Sequence, residues 1–96
     1  MKVTLNLNTG ITVPDNKVIS FVAESISRNE DVIIGSIIIF DAFRLALKNK
    51  VIAKENITFC MVTENGTYEY DNPEEFYTYH TEDDIVMKIG RGLLQK

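Results

Sequence analysis

The chain has 96 residues, 45% apolar and 25% charged, with a formal net charge of -4. That composition excludes an intrinsically disordered chain, a collagen-like or linker sequence, and a second domain of any size. The lone cysteine, Cys60, excludes an intrachain disulfide, so a reducing compartment, most simply the cytoplasm, is expected.

Val3, Leu5 and Leu7 alternate with Thr4, Asn6 and Asn8, the period of a half-buried strand, and residues 1–8 lack the apolar run of a signal peptide. Asn8-Thr9-Gly10 is a turn signal and Ile11-Thr12-Val13 resumes the alternation, which predicts a short hairpin. Asp15 or Asn16 is placed to cap a helix, and Val18, Phe21, Val22 and Ile26 form an amphipathic stripe running to about Arg28.

Val32-Ile33-Ile34 fits either a short buried strand or a first helical turn. Gly35-Ser36 breaks the chain, with Ser36 as the next N-cap. The helix that follows is apolar nearly all round and ends in Lys48-Asn49-Lys50, cations suited to the negative end of a helix. Such a helix belongs in the centre of the core or in a dimer interface, where Phe40, Phe43 and Leu47 are the candidate contacts. Asp41 and Arg44 inside it read as an i,i+3 ion pair on its polar edge, or alternatively as a register key between helices.

Residues 57–62 are β-rich, Asn65-Gly66 is a strong hairpin signal, and Tyr68-Glu69-Tyr70 returns. Asn72-Pro73-Glu74-Glu75-Phe76 reads as a turn opening into a single helical turn, residues 85–89 as a last strand, and residues 90–96 as a looser tail. These elements predict a single domain over residues 1–96. It is an α+β fold with a mostly antiparallel sheet, built from two hairpins and a C-terminal strand, and two helices packed on one face.

The chemistry of catalysis is hard to find. Neither phosphate-binding glycine motif is present, the calcium-loop spacing is absent, and Cys60 and His80 are too few for a structural zinc site. Cys60 and His80 could pair as thiolate and imidazole, but a cysteine between Phe59 and Met61 reads as a small buried hydrophobe. No cofactor, metal or catalytic residue is therefore expected. An acidic balance also argues against direct binding to nucleic acid or to an anionic membrane.

What stands out is charge segregation. From Glu55 to Met87 there are nine acids and no Lys or Arg, and all ten cations lie outside that stretch. Tyrosines are interleaved with the acids. Such a surface is either a solvated face or a contact surface in which tyrosines give rigid area and carboxylates steer a basic partner. The candidate contacts are Glu69, Tyr70, Asp71, Glu74, Glu75, Tyr77, Tyr79, Glu82, Asp83 and Asp84.

In size, acidity and want of a catalytic motif the chain resembles phage-encoded inhibitors of host DNA-handling enzymes, such as uracil-DNA glycosylase inhibitors and small anti-CRISPR proteins. The resemblance implies a nucleic-acid mimic that blocks a basic, nucleic-acid-binding protein. The alternative expectation is a small structural, self-assembling homodimer.

Overall fold

The computed structural model describes residues 1–75. Four strands and two helices follow one another as β1 (Lys2–Leu5), α1 (Val18–Arg28), β2 (Val32–Ile34), α2 (Ile37–Lys48), β3 (Thr58–Thr63) and β4 (Gly66–Glu69). The strands form one sheet in the order β2-β1-β3-β4. β1 runs parallel to both β2 and β3, and only β3 and β4 are antiparallel.

The sheet is therefore mixed and mostly parallel, where a mostly antiparallel one was expected. The expected first hairpin does not form. Ile11 instead passes along the outer edge of β2 and bridges Ile34 in parallel. Its amide donates to Ile33 O at 2.8 Å, and its carbonyl accepts from Gly35 N at 2.9 Å. The physical reason is connectivity: a helix between two strands carries the chain back to the starting end, so the strands pair parallel. Alternation reports one buried face and says nothing about the direction of the neighbour.

Register aligns Val3 with Val32 and Phe59, and Leu5 with Ile34 and Met61, on one face of the sheet. That face meets Val18 and Val22 of α1 and Ile39, Phe40 and Phe43 of α2 in a single cluster. On the opposite face Ile33, Thr58 and Val62 are exposed and Cys60 is buried. Both helices thus pack on one side, as their stripes require. The helices meet each other through an edge-to-face contact of Phe21 and Phe43 with centroids 6.2 Å apart.

Residues 32–34 form a strand, which resolves the ambiguity of that segment. Gly10 lies against its end so closely that a Cβ would fall 2.1 Å from Ile34 C and 2.2 Å from Gly35 N. α1 is preceded by a short 3-10 turn at Asp15–Lys17, so neither Asp15 nor Asn16 caps it; Lys17 holds that position. Ser36 does occupy the N-cap of α2, without a side-chain capping bond.

Both helices end in the same motif. The residue after the last turn takes a left-handed φ, Asn29 at 53° and Lys50 at 61°. The amides beyond fold back, Glu30 N to Ser25 O at 3.2 Å and Val51 N to Ala46 O at 2.8 Å. In the β3–β4 hairpin Thr63 opposes Gly66, so Glu64-Asn65 make the turn. The positive φ, 128°, falls on Gly66 alone of the turn residues. The last strand expected at residues 85–89 and the tail at 90–96 lie outside the described residues.

Candidate functional site

Arg44 organises the segment that carries the acids. Its side chain is buried within α2, and its Nη1 donates to Asp41 Oδ1 at 2.6 Å. Its Nε donates to Pro73 O at 2.9 Å and its Nη2 to Glu75 O. The guanidinium also stacks 4.8 Å from the ring centroid of Tyr70. The expected i,i+3 ion pair with Asp41 therefore exists, with Arg44 buried and Asp41 partly so. A planar fork with several donors is the group that can hold two carbonyls, a carboxylate and an aromatic face at once.

Tyr70 is half-buried on the core side of the sheet. Its ring meets Phe40 edge-on at 5.6 Å, and Phe40 in turn meets Phe59 at 5.5 Å. The tyrosine caps the aromatic core as well as lying among acids. Phe40, Phe43 and Leu47, the candidate dimer contacts, are 2%, 0% and 7% exposed within the single chain. Their apolar surface is covered by the core of one molecule.

Beside Tyr70 the surface dips into a depression of about 360 Å³. Glu55 from the turn before β3, Glu69 from the end of β4 and Asp71 beyond it line its rim. Leu47, Ile57 and Phe59 contribute its wall, and Lys54 is the one cation among the described residues that line it. The fold thus brings Glu69, Tyr70 and Asp71 together and adds Glu55, which a choice of residues by proximity along the chain had missed. The signal that could have found it is the β-rich run of residues 57–62 followed by the Asn65-Gly66 hairpin signal, which brings the returning strand back beside the turn that precedes the run.

Glu74 lies on the far side of Lys54, whose Nζ meets Glu74 Oε1 at 3.2 Å. The Glu74 carboxyl is held below the ordinary carboxylate range, first by a hydrogen bond from its own backbone and then by Lys54. Glu75 is exposed, and its carbonyl serves Arg44. Tyr77, Tyr79, Glu82, Asp83, Asp84 and His80 lie outside the described residues, so their part in the expected surface is not described.

Cys60 is a buried thiol on β3, opposite Glu69. Among the described residues no three His, Cys, Asp or Glu side chains are grouped to hold a metal ion, and no helix is long and apolar enough to cross a membrane. No protein-family model, curated protein or solved structure matches the chain.

Proposed function

We propose that the protein acts by binding a basic macromolecule and carries out no reaction of its own. The observation that carries this reading is the gathering of Glu55, Glu69 and Asp71 around one depression with an apolar wall. A lysine or arginine side chain lays its aliphatic stem along an apolar surface and its charged head among carboxylates, which is the chemistry this depression offers. The half-buried Tyr70 supplies a rigid aromatic edge at the same place.

A protein that binds nucleic acid presents such side chains in a groove, and carboxylates held on a rigid sheet edge can stand in for phosphates there. The finer proposal is therefore an inhibitor or regulator of a nucleic-acid-handling protein.

The test is capture from a bacterial lysate by immobilised protein, followed by elution with salt or with duplex DNA. The wild type should retain a nucleic-acid-binding protein that both eluents release. A variant with Glu55, Glu69 and Asp71 changed to Lys should retain none while keeping its circular dichroism spectrum. Retention that survives the triple change, or that DNA does not displace, would overturn the reading.

A further inference from the structure

The two edges of the sheet are finished differently. Along β2 the edge is occupied by the returning loop, where Ile11 donates to Ile33 O and accepts from Gly35 N. Among the described residues the sheet ends at β4, with no strand or loop paired beyond it. All 4 residues of β4 are exposed, and a Cβ on Gly66 would meet nothing within 4 Å.

Register fixes which backbone groups this edge offers. Tyr70 N donates to Phe59 O at 2.7 Å, so the alternate residues Tyr68 and Gly66 also turn their polar groups toward β3. The N–H and C=O of Thr67 and Glu69 therefore point outward. An unpaired row of this kind is a template for another strand, and proteins commonly blunt it with lysine, proline or a bulge. The sequence Gly66-Thr67-Tyr68-Glu69 contains neither residue, and its pairing with β3 runs unbroken from Thr63–Gly66 to Cys60–Glu69.

The side chains select the kind of strand that fits. Thr67 and Glu69 share the face of Val62 and Cys60, their partners in register, while Tyr68, 50% exposed, lies on the helix side with Met61. A residue opposite Glu69 thus meets a carboxylate, and its neighbour meets an aromatic ring. Glu64 precedes the strand, Asp71 follows it, and no Lys or Arg occurs from Glu55 to Met87. A second copy laid along β4 would bring like charges together, whereas a basic segment complements them.

We infer that β4 is a docking edge for an extended basic segment of a protein partner, which adds to the sheet as its outermost strand. The main chain of that segment pairs with Thr67 and Glu69, its cations face Glu69 and the flanking acids, and its alternate apolar residues cover Tyr68. The inference rests on the proposed binding of a basic macromolecule and specifies how that partner is held. Glu69 belongs both to this edge and to the acidic depression.

The test is NMR of the full chain with a capped peptide of alternating lysine and valine. In the free protein the Thr67 and Glu69 amides should exchange quickly with solvent. Peptide at about 1 mM, enough to detect a weak complex, should shift both amides and slow their exchange. The same peptide N-methylated at its lysines should bind at least about tenfold more weakly, because it keeps the charge and loses the main-chain bonds. A peptide of alternating glutamate and valine should not bind. Thr67→Pro should abolish binding and keep the circular dichroism spectrum, since that N–H takes no part in the β3–β4 ladder.

Equal binding of the N-methylated peptide, no shift at all, or binding retained by Thr67→Pro would overturn strand addition. So would slow exchange of the two amides in the free protein, whether independent of concentration, from an occupant within the chain, or rising with it, from a second copy. Lysate capture that survives Thr67→Pro but is lost when Glu55, Glu69 and Asp71 become Lys would sink the docking edge and leave the basic partner standing.

Discussion

The guanidinium of Arg44 covers the ring of Tyr70 at 4.8 Å, and the same group donates to the carbonyls of Pro73 and Glu75. One buried side chain of α2 thus fixes the path of the chain after β4, and with it the place of Asp71 and Glu74. The acidic depression and the neighbouring cavity lined by Leu47, Ile52 and Ala53 both depend on that anchor, because Asp71 lines the first and Glu74 the second.

Replacing Arg44 with Met should therefore destabilise the fold by about 3 kcal/mol, the cost of breaking a buried, hydrogen-bonded charge pair. Arg44→Lys should recover only part of this, since an ammonium cannot serve a carboxylate and two carbonyls with a planar fork. Urea denaturation of the two variants checks the order. Equal stability of Met and wild type would mean that the anchor is energetically idle.

Tyr70 has two roles that substitution can separate. Tyr70→Ala should cost about 2 kcal/mol through lost packing against Phe40 and Arg44. Tyr70→Phe should leave thermal stability nearly unchanged, because the ring supplies these contacts. A loss of partner capture by Tyr70→Phe at unchanged melting temperature would assign the hydroxyl to the interface.

The close approach of the 6–11 loop to the end of β2 leaves no room at Gly10. Its Cβ would meet backbone atoms of Ile34 and Gly35 inside 2.5 Å. Backbone cannot swing aside as a flexible side chain can. Gly10→Ala should lower stability by about 3 kcal/mol or more, read from the urea midpoint. It should also open the Ile11 bridge, visible as faster exchange of the Ile11 and Gly35 amides.

Lys50 offers the opposite sign. Glycine at this left-handed position should stabilise by about 0.5–1 kcal/mol, the relief of side-chain strain less the entropy of a freer unfolded chain. Calorimetry of Lys50→Gly checks it. Asn29 ends α1 in the same conformation, and the gain from Asn29→Gly should be smaller, because asparagine tolerates that region better than lysine.

Glu74 carries a pH dependence. Its folded-state pKa lies below the ordinary value of 4.5, so its contribution is fully present above 4.5 and is lost as pH falls through the lowered value. Carboxyl NMR titration should give a midpoint below 4.5 in the wild type. Lys54→Met should raise that midpoint only partly, because the larger cause is the hydrogen bond from the residue's own backbone.

The sequence alone determined the elements whose signals are local. The stripe of Val18, Phe21, Val22 and Ile26 specifies α1, and the two-period of Val3 and Leu5 specifies a strand with one buried face. The all-round apolar helix at 37–48 declares itself central, and the Asn-Gly pair marks a hairpin.

Tertiary structure decided what depends on distant partners. Period two is the same for parallel and antiparallel neighbours, so only the crossover helices settle that β1 pairs parallel on both sides. Likewise a run of nine acids along the chain is a statement about sequence, whereas a site is a statement about space. Folding divides that run, placing Glu55 beside Glu69 and Asp71 and turning Glu74 to Lys54. Lys48 and Lys50, read as a helix end, come to line one cavity together with Lys54. Charges attract and repel by distance in space, and no local pattern encodes the contacts between residues 48–54 and 69–74 that bring them together.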